Sequence, residues 1–127
     1  MSKKEPVILP GDAAPALYSP AVRIEHTLYV SGQVGEDTQG CVPDGIEAQT
    51  ALAIENAAKL IEAAGATLKD VLMCRCFLQK KEDFAGMNAA YSRYFGGEKN
   101  IAPARYTVIA PPVDEKYLVE IAMIVAL

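Results

Sequence analysis

Residues 118–127 read LVEIAMIVAL, and this stretch sets the fold class. Both sides of the predicted strand are apolar, one carrying Val119, Ile121, Met123 and Val125, the other Leu118, Ala122, Ile124 and Ala126. A strand that is apolar on both faces needs other layers on both sides of its sheet. Glu120 is the only ionisable residue in the stretch, and a buried carboxylate is costly unless it has a partner.

Helical periodicity predicts two helices earlier in the chain. The first runs from Ile46 to Ala64, with Gln49 and other polar residues largely opposite its apolar positions and Gly65 as its C-cap. The second follows Asp83, which is expected to cap it. Its apolar face consists of Phe84, Met87, Tyr91, Tyr94 and Phe95, and Gly96-Gly97 ends it.

Runs of β-branched and aliphatic residues predict the remaining strands. They are Ala21–Ile24 and Thr27–Val34, joined by a turn at Glu25-His26, then Val71–Gln79 and Arg105–Ile109. The segment before Tyr18 is rich in Pro and Ala and is predicted to be an irregular arm. The predicted order is β-β-α-β-α-β-β.

This order predicts an α+β fold in a single domain, residues 1–127, with a mixed sheet covered on one face by two helices. The other sheet face would then be left exposed to water although the last strand is apolar on that side too. Packing of subunits against each other through this face would bury it, so we expect an oligomer.

Composition excludes several classes of function. The formal net charge is −4, and the twelve Lys and Arg residues are scattered, which argues against nucleic-acid binding. One histidine and three cysteines provide too few donors at usable spacing for a zinc site. The sequence shows no recognisable leader or membrane-spanning run. Cys74 and Cys76 are interpreted as core thiols and Cys41 as a loop thiol. We therefore expect a reduced, cytoplasmic protein without a metal site.

Arg105 and Glu120 are the candidate chemical groups. Alternation along the strand places Thr107 on the same face as Arg105. If this strand paired with the last one, an Arg–Glu–Thr cluster would form at one end of the sheet. Arginine binds a carboxylate through two N–H groups, and a neighbouring glutamate can polarise water, so the cluster suits hydrolysis of a small acid. The alternative is a structural Arg105–Glu120 ion pair at a subunit interface.

Several motifs resemble those of the Rid/YjgF family, formerly called the endoribonuclease L-PSP family. The most specific are Pro103-Ala104-Arg105 and Leu118-Val119-Glu120-Ile121. The resemblance extends through nearly the whole chain, because three earlier motifs occur in the family's order. They are Tyr18-Ser19-Pro20-Ala21-Val22, Tyr29-Val30-Ser31-Gly32-Gln33 and Asp83-Phe84-Ala85-Gly86-Met87-Asn88.

The resemblance implies a chorismate-mutase-like homotrimer with clefts between subunits. It implies cofactor-free hydrolysis of 2-iminopropanoate and 2-iminobutanoate to 2-keto acids and ammonia. By the same resemblance, Arg105 clamps the substrate carboxylate and Glu120 orients the attacking water. The remaining cleft residues would be Tyr18, Ser31, Gly32, Asn88 and Thr107.

Three departures from the family pattern bear on substrate range: Leu17, Thr107 in place of a frequent cysteine, and Pro111-Pro112. Two other functions remain open. One is a non-catalytic sensor of small keto or imino acids, and the other is a ribonuclease or translation inhibitor.

Arg75 is a second candidate anion binder besides Arg105. The default interpretation of this residue is a solvent-facing or interface arginine.

Overall fold

The computed structural model describes residues 3–13 and 17–127. In these residues a six-stranded mixed sheet is covered on one face by two helices, as predicted. The elements are β1 (Glu5–Val7), β2 (Ala21–Ile24), β3 (Thr27–Val34), α1 (Ile46–Ala63), β4 (Val71–Leu78), α2 (Phe84–Phe95), β5 (Ala104–Ile109) and β6 (Val119–Ala126). The strand order is β1-β2-β3-β6-β4-β5, and β4 and β5 are parallel while the other neighbours are antiparallel.

The arm before Tyr18 is more regular than predicted. Glu5–Val7 pairs with Ala21–Arg23 as an edge strand, and the Val7 side chain is buried in the core. Three residues containing a proline have little intrinsic preference for a strand, and proline is tolerated there because the strand lies at an edge. The pairing therefore depends on a distant hairpin, which local sequence does not reveal.

The helix ends also differ in part from the prediction. Gly65 has φ 91° just after α1 and donates its N–H to the Glu62 carbonyl, as suits a glycine at this position. Asp83 was expected to cap α2, but its side chain makes no capping hydrogen bond. The short 3₁₀ turn Lys81–Asp83 leads directly into α2, so Asp83 has helical rather than capping geometry.

Gln49 was expected on the polar side of α1 but is only 3% exposed. Its Oε1 accepts a 2.8 Å hydrogen bond from the Leu118 N–H, and its Nε2 donates to the Lys116 and Pro43 carbonyls, both at 3.1 Å. The side chain therefore satisfies backbone groups in two loops, the one before α1 and the one before β6. Hydrophobic periodicity predicts the burial of apolar residues only, so it does not reveal a polar residue that is buried because its hydrogen bonds are satisfied.

The two faces of the sheet differ as the alternation in β6 predicted. Val119, Ile121, Met123 and Val125 are buried beneath the helices, and the residues between them are half-exposed. We call the uncovered side the open face. Tyr29 is 51% exposed there, Tyr106 44% and Val108 41%, so it presents an apolar surface to water. None of the described helices is long and apolar enough to cross a membrane.

Candidate active site

Arg105 lies on β5, at the sheet edge, and its side chain is held against α2. Its Nη1 donates a 2.8 Å hydrogen bond to Oδ1 of Asn88. The guanidinium carbon lies 4.8 Å from the centroid of the Tyr91 ring and 5.9 Å from that of Phe84. Phe84, Asn88 and Tyr91 share one face of α2 because their spacing is four and three residues. One helix face therefore fixes the guanidinium.

The charge of Arg105 is not neutralised by the described part of the chain. The ion pairs in the described residues are Arg93–Glu47 and Lys116–Glu36, and neither involves Arg105. Burial raises the pKa of the Cys74 thiol to about 12 and that of Cys76 to about 11, although the Arg105 charge opposes both shifts. Burial likewise raises the pKa of Tyr91. These neighbours stay neutral at physiological pH, so half-buried Arg105 is available to an external anion.

Thr107 and Arg105 share one side of β5, as predicted, and the structure shows that this side faces the helices. The register aligns Arg105 with Cys74 and Thr107 with Cys76, and both cysteines are buried. Among the described residues, the buried hydroxyl groups of Thr107 and Tyr91 have no hydrogen-bond partner of good geometry. We call Phe84, Asn88, Tyr91, Arg105 and Thr107 the Arg105 half-site. Unsatisfied buried hydroxyls are rare, and two of the three in the described chain lie in this half-site, the third being that of Thr50.

Glu120 belongs to a second group of predicted residues. A Cβ atom added to Gly32 would collide with the Glu120 carboxylate, so only glycine allows this close approach. The β3–β6 register shifts between Val30 and Gln33, which places Ser31 and Gly32 in an irregular part of the ladder. We call Tyr18, Ser31, Gly32 and Glu120 the Glu120 half-site.

Ser31 anchors the segment that carries Tyr18. Its Oγ donates a 2.6 Å hydrogen bond to the Ser19 carbonyl, and its N–H donates to the Pro20 carbonyl at 2.9 Å. Tyr18 is exposed, with its ring in solvent. The segment from Tyr18 to Pro20 is thus tied to β3 beside Glu120, and its tyrosine is free to contact a ligand or another chain.

The structure corrects the proposed Arg–Glu–Thr cluster. Strand β4 lies between β5 and β6, so the strands of Arg105 and Glu120 are not neighbours. Arg105 aligns with Cys74, whose side chain is buried on the helix side of the sheet. Glu120 aligns with Phe77, which lies between buried Cys76 and Leu78 and therefore points to the other side. The two side chains therefore leave opposite faces of the sheet, and they form neither the cluster nor an ion pair within one chain.

Two contacts of the Arg105 half-site were missed from the sequence. Phe84 and Tyr91 were interpreted only as the apolar face of α2, although both rings pack on the guanidinium. The sequence did contain a signal for these contacts, because Asn88, a predicted site residue, lies between Phe84 and Tyr91 on the same helix face.

A cavity of about 420 Å³ between the ends of α1 and α2, beside Leu68 and Ile101, contains none of the predicted site residues.

The endoribonuclease L-PSP family model matches residues 11–127. The chain belongs to this family, also called Rid/YjgF. A RutC family protein of Saccharolobus solfataricus is 41% identical over 109 residues, which cover 84% of each chain. The structure of the Escherichia coli YjgF gene product matches this Rid/YjgF chain with a TM-score of 0.86 and 27% identity, covering 96% of this chain and 98% of that one.

A third similar protein was solved with a ligand. Escherichia coli TdcF, with bound serine, has a TM-score of 0.85 and 25% identity to this Rid/YjgF chain, and the match covers 97% of this chain and 98% of that one. The family-model match, residues 11–127, includes the Tyr18–Val22 segment and all the elements that carry the two half-sites.

Proposed function

We propose that this Rid/YjgF family member hydrolyses short 2-imino acids, such as 2-iminopropanoate and 2-iminobutanoate, to 2-keto acids and ammonia. The observation that carries the proposal is Arg105, a fixed and half-buried guanidinium without a carboxylate partner in the described chain. Serine bound to the related TdcF supports a small ligand that carries a carboxylate.

Arg105 would bind the substrate carboxylate through two N–H groups. Guanidinium has five N–H donors, and the hydrogen bond to Asn88 uses one of them, so a bidentate pair remains possible. The Tyr91 ring limits the orientation of the guanidinium plane. A clamp already oriented before binding loses little side-chain entropy when the ligand arrives.

The site would be assembled between copies of the chain. The Arg105 and Glu120 half-sites leave opposite faces of one sheet, so the Arg105 half-site of one copy would meet the Glu120 half-site of the next. Contacts between different surfaces form closed rings when the rotation permits. We propose a ring of three, in which the apolar open face is covered by the neighbouring copies.

Glu120 would orient a water molecule toward C2 of the bound imine. The water oxygen bonds to C2, the C=N π electrons move to nitrogen, and a carbinolamine forms. After proton transfer to nitrogen, the C–N bond breaks, ammonia leaves and the C2 oxygen becomes the keto group. Positioned proton transfer contributes roughly 10²–10⁴ in rate, which suffices for a reaction that already proceeds in water. The Thr107 and Ser31 hydroxyls transfer no proton in this mechanism.

The test is competition with semicarbazide. A dehydratase generates 2-iminobutanoate from threonine, semicarbazide traps the imine, and the protein accelerates formation of the keto acid if the proposal is correct. Arg105→Ala should lower kcat/KM about ten- to hundredfold, because it removes a charge-assisted carboxylate contact. Arg105→Lys should restore only part of that loss, since lysine binds as a point charge.

The matched control is Arg93→Gln, which removes an exposed guanidinium on the outer side of α2 that pairs with Glu47. This variant should retain wild-type activity. If the wild type does not exceed the spontaneous rate, the hydrolase proposal fails. Binding of 2-ketobutanoate that depends on Arg105 would then support a non-catalytic sensor.

A further inference from the structure

Arg75 is a cation on the open face of the sheet. It lies on β4, aligned with Ala122 of β6 and Tyr106 of β5, and its side chain is exposed. Within residues 3–13 and 17–127 its side chain forms no hydrogen bond or ion pair. This sheet face is largely apolar, and a guanidinium without a partner is unusual there, because an isolated charge opposes burial of such a face.

Arg75 lies next to the Glu120 half-site. Ala122 follows Glu120 by two residues on the same side of β6, so the backbone position opposite Arg75 is about 6.6 Å along the strand from Glu120. Long side chains on diagonal positions of neighbouring strands are within reach of each other. The two groups are nevertheless not within ion-pair distance in the described chain.

A shallow cavity joins Arg75 to the predicted cleft residues. Its volume is about 280 Å³, and its walls include Ser31 of the Glu120 half-site, Tyr29, Arg75, Ala122 and Ile124. The Tyr29 hydroxyl also has no hydrogen-bond partner among the described residues. The cavity thus offers a guanidinium and a phenolic hydroxyl above an apolar floor, a combination that suits a carboxylate attached to a short carbon chain.

Covering the open face would strengthen the need for an anion at this position. A neighbouring copy would remove water from Arg75, and desolvation of an unpaired cation is costly. Glu120 is the nearby carboxylate on this face, and it forms no ion pair with Arg75 in the described chain. An anionic group of the ligand would therefore supply the missing counter-charge.

We infer that Arg75 binds a second carboxylate and that the site accepts dicarboxylic 2-imino acids of four or five carbons. This inference rests on the proposed function. The first carboxylate would bind Arg105 of one copy and the second Arg75 of the next, with C2 beside Glu120. Hydrolysis consumes one water, releases ammonia from C2 and leaves the second carboxylate unchanged, so 2-iminoglutarate gives 2-ketoglutarate.

The kinetic test compares 2-iminoglutarate with 2-iminobutanoate. An amino-acid oxidase generates 2-iminoglutarate from glutamate, catalase removes the peroxide, and semicarbazide competition measures hydrolysis. Arg75→Gln should lower the ratio of the two kcat/KM values, dicarboxylate over monocarboxylate, by about tenfold or more, through KM. Arg93→Gln should leave the ratio at the wild-type value. A ratio unchanged in Arg75→Gln would overturn the inference, including the case in which both values fall together because Arg75 acts through Glu120.

A binding test separates this inference from the proposed function, since it needs no turnover. The thermal unfolding temperature is measured with glutarate or butyrate at equal concentration and ionic strength. Glutarate should stabilise the wild type more than butyrate, and the difference should vanish in Arg75→Gln but persist in Arg93→Gln. Equal stabilisation by the two acids in the wild type would contradict a second carboxylate site, whether or not imines are hydrolysed.

Discussion

Arg105 and Glu120 point away from opposite faces of the same sheet, with strand β4 between their strands. A site that needs both groups must therefore take one from each of two chains. In the proposed mechanism Arg105 clamps the substrate carboxylate and Glu120 holds the water molecule. The proposed oligomer would therefore complete the site as well as cover the apolar open face.

Two inactive variants should restore activity when they are mixed. Arg105→Ala retains Glu120, and Glu120→Ala retains Arg105. One intact site therefore forms wherever the Arg105 half-site of a Glu120→Ala chain meets the Glu120 half-site of an Arg105→Ala chain. Equal mixing by refolding should recover about a quarter of the wild-type rate, since half the chains carry each required group. The control mixes Arg105→Ala with the Arg105→Ala/Glu120→Ala double variant, which contains no intact clamp. No recovery in the first mixture would argue against a site between chains.

Tyr91 is expected to position Arg105 through its ring rather than its hydroxyl. Tyr91→Phe keeps the ring 4.8 Å from the guanidinium carbon and removes a hydroxyl without a good partner, so stability should change by about 1 kcal/mol or less. Tyr91→Leu should raise KM about tenfold, because the cation–π contact is lost.

Tyr94→Leu is the matched control for Tyr91→Leu, since Tyr94 lies on the same helix but its hydroxyl donates to Glu55. KM should remain near wild type in this variant, and only stability should fall. Kinetics are compared at equal concentrations of folded protein. Equal effects of the two leucine variants on KM would show that Tyr91 has only a structural role.

Stability should fall in alkaline solution because of the buried thiols. Burial raises the pKa of Cys74 from 9.0 to about 12 and that of Cys76 from 9.0 to about 11. Between these limits the unfolded chain loses protons that the folded chain keeps. The free energy of unfolding should therefore fall by up to about 1.4 kcal/mol per pH unit for each thiol above about pH 9 and be insensitive to them below it.

Urea unfolding of Cys74→Ala checks the alkaline prediction. Its free energy of unfolding should decline less steeply between about pH 9 and about pH 11 than that of the wild type, whatever its value at neutral pH. Gln39→Leu, in an exposed loop, removes no ionisable group and should keep the wild-type slope. A Cys74→Ala slope identical to the wild type would contradict the raised pKa of Cys74.

Replacement of Gln49 should destabilise the fold. Gln49→Leu leaves the Leu118 N–H and the Lys116 and Pro43 carbonyls without their partner, at a cost of about 1–3 kcal/mol. Gln39→Leu, in an exposed loop, should change the free energy of unfolding by less than about 0.5 kcal/mol. Denaturant midpoints at constant m-value test both variants, and equal midpoints would show that the Gln49 bonds contribute nothing net.

Most regular elements were predicted within one residue of their observed ends. The α1 limits and the two sides of β6 followed from hydrophobic periodicity, because burial of a single face repeats with the geometry of the element. Strand β1 and the buried position of Gln49 did not, since each depends on hydrogen bonds to residues far away in the chain. The non-capping geometry of Asp83 depends on the 3₁₀ turn before α2.

For the candidate site, local alternation determined that Arg105 and Thr107 share one side of their strand, because side-chain direction alternates within any single strand. The sequence also contained Arg75 in the middle of a strand, but not its neighbours. Tertiary structure decided the strand order and registers, which separate Arg105 from Glu120 and bring Arg75 beside Ala122. Register between distant strands is set by packing of the whole sheet, and a shift of one residue moves every side chain to the other face.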